Sequence, residues 1–372
     1  MKLSPINKFF SLFSHDIGID LGTANTLVFV KEKGIVIREP SVVAKHKKSK
    51  RVIAIGTDAK KMLGKTPASI QTIRPLRGGV ISDFDATEAM ISHYIKHVHE
   101  MGRTLPRLLA RPKVVIGIPS SVTEVERRAV WEAALTAGAR EAYLIEEPMA
   151  AAIGEGINIF QSKGAMVVDI GGGTTEIAVI SLGGIVVGRS LKVAGDDMDQ
   201  AILHYIRLRH GLLLGEKTAE DIKMKIGSAF DKRVRGKGIR GKDDTKEAES
   251  ERKEKVMVVR GRDIETGLPR SLKITESEIR EALTPIFTQI TQAVADVLEE
   301  TPPELLPDIL EQGILLTGGG ANIAGLDLLL VERIHMPVVV SDDSLTSVVR
   351  GTGRVLTDDY LLERVKVIGG LK

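Results

Sequence analysis

One motif occurs twice in this chain, once in each half, and it limits the possible folds more than any other feature. In IGIDLGTANTLVFV (17–30), aliphatic residues lead into Asp20, a turn of small residues and a second aliphatic run. MVVDIGGGTTEIAVI (166–180) has the same form around Asp169. Each segment predicts a strand, a glycine turn and a returning strand. Two such β-hairpins predict a duplicated α/β fold with a cleft between its halves.

A third glycine turn, at residues 317–321 (TGGGA), lies between a predicted strand and a predicted helix. Glycine turns expose successive backbone N–H groups, which bind phosphate oxygens. The turns at residues 22–25 and 171–175, facing each other, would therefore hold a polyphosphate from both sides. The third would let the backbone approach a base or ribose closely. One such turn alone is more often an ordinary hairpin, but three together predict a nucleotide site.

Acidic side chains beside these turns suit phosphate chemistry. Asp20 and Asp169 end their strands, and we expect them to hold Mg²⁺, largely through water. Glu146 and Glu147 follow another strand, and at least one of them should face the cleft. Thr174 is placed to contact the γ-phosphate or the attacking water. Positioning and electrostatics of this kind are the usual basis of phosphoryl transfer.

Glu220 and Lys223 are three residues apart on one face of a predicted helix, opposite the apolar face that carries Ile222. Their side chains would either hydrogen-bond ribose hydroxyls or form a solvated ion pair with each other. The spacing is compatible with both.

The composition excludes several other classes of protein. There is no cysteine, so disulfides and thiolate zinc sites are excluded, and this suits a reducing cytoplasm. Aromatic residues make up 3% of the 372 residues and the net charge is +3. Neither value favours nucleic acid as a partner.

The three turns, in this order, resemble those of the superfamily of actin, sugar kinases and heat-shock chaperone ATPases. Longer segments are similar to the MreB family of bacterial actins, among them IRPLRGGVISDFDATEAMI, IEEPMAAAIG, ETPPELLPDILEQGILLTGGGANIAGLD and GTGRVL. The resemblance implies an α/β, duplicated actin-like ATPase fold, with two lobes and four subdomains around a central nucleotide cleft. It also implies ATP and Mg²⁺ as ligands.

The resemblance assigns roles residue by residue. It implies a first phosphate loop of Thr23, Ala24 and Asn25 and a second of Gly172, Gly173 and Thr174. It assigns the ribose and base contact to Glu220, Asp221, Ile222 and Lys223, and the turn behind the adenine to Gly318, Gly319, Gly320 and Ala321. It assigns hydrolysis to Glu147 and Thr174, and magnesium binding to Asp20 and Asp169. The family usually has arginine where this chain has Asp221, so one basic contact is lost.

The expected domain order follows the same resemblance. Residues 1–15 form an N-terminal segment, 16–157 the first lobe and 158–343 the second lobe, and 344–372 return to the first lobe. The small subdomains are expected near residues 44–77 and 194–275. The second contains a charged insert at 231–255, which is longer than is usual in the family by roughly 20 residues, a length that surface loops tolerate. The insert is predicted to be an exposed loop, and it either tunes assembly, recruits a partner or is inert.

Two segments are candidates for membrane contact. Residues 3–13 place Phe9, Phe10 and Phe13 on one face of a possible amphipathic helix, and a disordered or core-docked tail is the alternative. Leu105, Leu108 and Leu109 lie between arginines in a possible membrane loop, for which a simple packed loop is the alternative. The family binds membrane through elements of these two kinds.

The resemblance therefore implies a slow ATP hydrolase that polymerises with itself. Its filaments would lie on the inner face of the cytoplasmic membrane, contact membrane-bound cell-wall elongation proteins and maintain rod shape. The alternatives are a related filament protein that positions organelles or plasmids, and a small-molecule kinase of the same fold. A chaperone is disfavoured because no long peptide-binding region follows residues 351–353.

Overall fold

The computed structural model describes residues 14–101, 111–231 and 254–367. The predicted membrane residues Phe9, Phe10, Phe13, Leu105, Leu108 and Leu109 lie outside these ranges, as does nearly all of the charged insert. No helix in the described ranges is long and apolar enough to cross a membrane.

The described strands are, in chain order, β1 (Ile17–Leu21), β2 (Asn25–Val30), β3 (Gly34–Pro40), β4 (Val43–His46), β5 (Val52–Ile55), β6 (Ile70–Ile73), β7 (Leu76–Arg77), β8 (Val80–Ile81), β9 (Lys113–Ile118), β10 (Glu141–Glu146), β11 (Ala165–Ile170), β12 (Thr175–Ser181), β13 (Gly184–Leu191), β14 (Leu212–Leu213), β15 (Val256–Asp263), β16 (Pro269–Thr275), β17 (Ile314–Thr317) and β18 (Val338–Val340).

The described α-helices are α1 (Thr57–Met62), α2 (Phe84–Met101), α3 (Glu124–Thr136), α4 (Glu147–Gly154), α5 (Gly195–His210), α6 (Glu216–Ile226), α7 (Glu276–Glu300), α8 (Leu306–Gln312), α9 (Leu326–Ile334), α10 (Ser347–Thr357) and α11 (Asp359–Val365). Helices α3 and α7 begin with the capping boxes that the sequence predicts, at Thr123 and Thr275.

Two five-stranded sheets have the same plan, as the repeat predicts. The first has the order β10-β9-β1-β2-β3 and the second the order β13-β12-β11-β17-β18. In each, an antiparallel hairpin (β1-β2 or β11-β12) is extended by a third antiparallel strand on one side and by two parallel strands on the other. Asp20 and Asp169 therefore occupy equivalent positions near the ends of β1 and β11.

Helices α4 and α10 pack together where the two sheets meet. Close approach depends on glycine, because a Cβ on Gly154 would lie 1.9 Å from the Ser347 carbonyl oxygen and one on Gly351 would lie 1.8 Å from that of Ala150. Helix α10 also packs on β1, β2 and β9 of the first sheet, and α4 packs on β11 and β12 of the second. One apolar cluster contains residues of both sheets, including Val115 and Val167. This shared core fixes the base of the cleft.

Each five-stranded sheet is accompanied by a small three-stranded one. The first small sheet has the order β5-β4-β6 and packs with α1, and the second has the order β14-β15-β16 and packs with α6. Residues of α1 and α6 line opposite sides of the same cavity. The small sheets therefore complete the walls of the cleft.

Candidate functional site

A cavity of about 550 Å³ lies between the two lobes, and residues of both hairpins line it. Thr23, Ala24 and Asn25 come from the first hairpin, and residues 171–174 come from the second. The structure therefore brings together the two turns that the sequence places in separate halves of the chain.

The tips of the two hairpins touch each other. A Cβ on Gly172 would lie 2.6 Å from the Ala24 Cβ, and a Cβ on Gly173 would lie 2.5 Å from the Thr23 hydroxyl oxygen. Any larger residue at these two glycines would push the lobes apart. The Thr23 hydroxyl also accepts a hydrogen bond of 3.1 Å from the Gly79 backbone N–H, which fixes its side chain.

Asp20 and Asp169 both line the cavity, and each carries a carboxyl group that resists ionisation. Burial, and then the negative charge of Asp169, raise the pKa of Asp20 to about 8. Burial raises the pKa of Asp169 to about 6, although the Thr317 hydroxyl donates to Asp169 Oδ1 at 3.0 Å and opposes the rise. The two carboxylates are close enough to interact unfavourably, so the site favours a cation between them.

Glu147 is the glutamate of the Glu146-Glu147 pair that faces the cavity. It begins α4 and is only 9% exposed. Burial, and then the charges of Glu176, Asp169 and Asp20, raise its pKa well above the ordinary value. Glu146 does not line the cavity, so the structure resolves the ambiguity between the two.

The ribose and base side of the site differs in part from the prediction. Glu220 and Lys223 line the cavity, but they do not pair with each other. Glu220 forms an ion pair of 2.8 Å with Lys60 of the first lobe. Lys223 forms one of 2.9 Å with Asp199 and donates to the Gly195 carbonyl oxygen at 2.7 Å. The alternative of a solvated Glu220–Lys223 pair was therefore wrong.

Two other predicted contacts on this helix do not line the cavity. The Ile222 side chain is fully buried in the apolar core of the second lobe, on the opposite face of α6. Asp221 is also absent from the cavity wall. The residues of α6 that do line the cavity are Glu220, Lys223, Met224 and Lys225.

The third glycine turn lies against the second hairpin. Gly318, Gly319 and Gly320 line the cavity, whereas Ala321 is buried behind them. Gly318 has φ of 82°, and a Cβ there would lie 2.4 Å from Asp169 Oδ1. Only glycine allows this close approach to the carboxylate.

Several residues of the cavity were not predicted. Asp196 and Asp199 project from the first two turns of α5, and Arg74 and Lys60 come from the first lobe. The Gly-Asp-Asp sequence at the start of α5 gave at most a weak signal for Asp196, because carboxylates are common at helix N-termini without any functional role. Lys60 and Arg74 carried no such signal, since their partners are distant in sequence.

The chain is similar to known proteins over nearly its whole length. The family model described as MreB/Mbl protein matches residues 14–364. The cell shape-determining protein MreB of Escherichia coli is 49% identical over 355 residues, which cover 94% of this chain and 96% of the relative. The crystal structure of MreB5 of Spiroplasma citri bound to ADP is 38% identical, with a TM-score of 0.83, and covers 94% of this chain and 98% of that one.

A more distant structure confirms the fold alone. The MamK double helical filament has a TM-score of 0.74 at 22% identity and covers 92% of this chain and 98% of that one. With the family match over residues 14–364, these similarities confirm the predicted two-lobed architecture, and the chain belongs to the MreB/Mbl family of actin-like proteins.

Proposed function

We propose that this protein binds and slowly hydrolyses ATP, polymerises into filaments on the inner face of the cytoplasmic membrane, and determines cell shape. The observation that carries the proposal is the contact between the two hairpin tips at the cavity wall. The glycine-rich turns of both lobes meet there, and turns of this kind offer backbone N–H groups to a polyphosphate. The S. citri relative, which is 38% identical, was solved with ADP bound.

The acidic residues of the cavity suit a magnesium-bound nucleotide. No group of three or more His, Asp or Glu side chains in the described ranges is arranged as a metal site by itself. Asp20 and Asp169 have raised pKa values because of burial and because Asp169 raises that of Asp20. Mg²⁺ bound with the nucleotide would supply the positive charge that stabilises both carboxylates, with water and phosphate as its other ligands.

Glu147 and Thr174 are the residues that we assign to hydrolysis. The Glu147 carboxyl group lines the cavity, where its oxygens would accept a hydrogen bond from the attacking water and orient it. The Thr174 hydroxyl lies on the tip of the second hairpin, where it would contact the γ-phosphate or the same water. Catalysis would then depend on positioning and electrostatics, and slow turnover is what the resemblance to the family implies.

Filament assembly would follow from the two-lobed fold. Nucleotide held by both tips favours the closed cleft, which is the form that adds to a filament, and hydrolysis then loosens the polymer. Membrane contacts would involve residues 3–13 and 105–109, and several weak contacts per filament give firm attachment by avidity. Membrane-bound cell-wall elongation proteins would be its partners, as the resemblance to the family implies.

A sedimentation assay tests this function. Wild-type protein should pellet with ATP and Mg²⁺, and should also pellet with anionic liposomes. A variant that lacks residues 1–14 should still form filaments but bind fewer liposomes. If wild-type protein stays in the supernatant with ATP at all protein concentrations, the filament function is wrong.

A further inference from the structure

Two ion pairs join the lobes across the mouth of the cavity. Lys60 Nζ of α1 lies 2.8 Å from the Glu220 carboxylate of α6, and Arg74 Nη1 lies 2.6 Å from Asp196 Oδ1 at the start of α5. All four side chains line the cavity. The first member of each pair belongs to the first lobe and the second member to the second lobe.

The two pairs form one electrostatic network. Burial lowers the pKa of Arg74, but the charge and hydrogen bond of Asp196, together with Glu216 and Glu220, outweigh it and raise that pKa. Glu220 therefore acts on Arg74 as well as on Lys60. Separating the lobes removes both cations from their carboxylates at once.

These two pairs are more shielded than a third ion pair that joins the lobes. The Lys60 and Glu220 side chains are 29% and 22% exposed, and those of Arg74 and Asp196 are 21% and 35% exposed. Another contact across the lobes, Arg38 to Asp343, is 3.7 Å long with side chains 58% and 50% exposed. Shielded pairs are screened less by salt, so the two pairs at the cavity mouth should contribute more than Arg38–Asp343 to holding the lobes together.

We propose that the Lys60–Glu220 and Arg74–Asp196 pairs form a latch across the cavity mouth that limits how fast a bound nucleotide leaves. The proposal rests on the nucleotide binding proposed above. A nucleotide gripped by both hairpin tips leaves only when the lobes separate, and that motion breaks both pairs. Lys60 also holds in place the Glu220 carboxylate, which is the predicted ribose contact.

Lys61 provides a matched control. It is the next residue of α1, its side chain is 70% exposed, and it pairs with Asp58 of the same helix at 2.9 Å. Lys61→Met and Lys60→Met thus remove the same charge and add the same side chain to the same helix. Only Lys60→Met breaks a contact between the lobes.

The experiment measures nucleotide release from the full-length chain by stopped flow. Etheno-ATP, whose ribose is unmodified, is displaced by excess ATP at protein concentrations that do not pellet. We expect release about three- to fivefold faster in Lys60→Met and in Arg74→Met, and faster still in the double variant, as loss of partly shielded pairs predicts. Release from Lys61→Met should match wild type.

Salt and crosslinking separate the latch from a general weakening of the fold. Raising KCl should speed release more in wild type than in the double variant, because the two pairs are only partly shielded and salt therefore still weakens them. Because the chain has no cysteine, a short bis-maleimide can join the new thiols of a Lys60→Cys/Glu220→Cys variant, and release should then nearly stop.

The outcomes distinguish the two proposals. If wild type fails to bind etheno-ATP and ATP, the nucleotide function itself fails. If wild type binds, but Lys60→Met and Arg74→Met release nucleotide at the wild-type rate, the latch is overturned. Equal acceleration by Lys61→Met would overturn it as well.

Discussion

The two hairpins share a backbone plan but differ in what surrounds their aspartates. Opposite Asp20, across the strand pair, lies Leu27, whereas Glu176 lies opposite Asp169. Glu176 is 1% exposed and accepts hydrogen bonds from the Ser190 hydroxyl at 2.6 Å and the Ser120 N–H at 3.0 Å. Asp20 thus has an apolar neighbour across its strand pair, and Asp169 has an acidic one.

This difference indicates a division of labour within a duplicated motif. The second hairpin carries Thr174 and the charge that acts most strongly on Glu147, that of Glu176. The first contributes Thr23 and Ala24, which face the glycines of the opposite tip. We infer that the second tip supports chemistry, whereas the first mainly supports binding.

The largest expected effect is on ATP hydrolysis, which is measured separately from ATP affinity. Glu147→Ala should lower ATP hydrolysis about 100-fold, because the water loses the group that orients it, with little change in ATP affinity. Thr174→Ala should also act mainly on hydrolysis, whereas Thr23→Ala should act mainly on affinity. Phosphate release and equilibrium binding measure the two quantities. Equal effects of Thr174→Ala and Thr23→Ala on hydrolysis and on affinity would contradict the different roles of the two tips.

A second prediction concerns the contact between the tips. Gly173→Ala should weaken ATP binding about 30-fold, roughly 2 kcal/mol, because the new methyl group meets the Thr23 hydroxyl and the backbone of Gly78. Gly184→Ala is the control, since a Cβ there meets nothing within 4 Å. Isothermal titration measures both. Normal binding by Gly173→Ala would show that the tips need not touch.

A third prediction follows from the different pKa values of the two aspartates. The pKa of Asp20 rises from 3.8 to about 8 and that of Asp169 to about 6, so the folded state binds more protons than the unfolded state. Without Mg²⁺ and nucleotide, the free energy of unfolding should therefore fall as the pH rises from 3.8 to the raised pKa of each aspartate. Between pH 6 and 8 the fall due to Asp20 should be about 2 kcal/mol.

Substitution at each aspartate should remove its own part of this pH dependence. Asp20→Asn should flatten the stability curve between pH 6 and 8 and make the protein more stable at pH 8. Asp169→Asn should flatten it mainly below pH 6. Thermal and urea unfolding in EDTA measure both. A wild-type protein that gains stability from pH 6 to 8 would contradict the assignment.

The smallest expected effect concerns the Thr317 hydroxyl, which donates a hydrogen bond to Asp169. Thr317→Val removes the hydrogen bond to Asp169 Oδ1 and should cost about 1 kcal/mol at neutral pH. Thr317→Ser, which keeps the hydroxyl, should cost less. Urea unfolding compares the two. Equal losses would mean that the methyl group matters and the hydrogen bond does not.

Much of the fold could be predicted from the sequence because it is determined by patterns of neighbouring residues. The hairpins, the glycine turns and both capping boxes depend on neighbouring residues, and all appear where expected. Contacts across the cleft were harder to predict. Lys60 and Glu220 lie in different lobes, so spacing along the chain suggested a Glu220–Lys223 pair instead. The apolar face of α6 could be predicted from the spacing of its residues. The family pattern nevertheless predicted a nucleotide contact at Ile222, whose side chain is buried in the core.

Hydrogen exchange with mass spectrometry tests the central claim most directly. The claim is that the tips at residues 22–25 and 171–174 hold one nucleotide together. Adding ATP and Mg²⁺ to Glu147→Ala protein should slow exchange at both tips, with the same dependence on ATP concentration. Protection of only one tip, or of the two tips at clearly different ATP concentrations, would contradict the account.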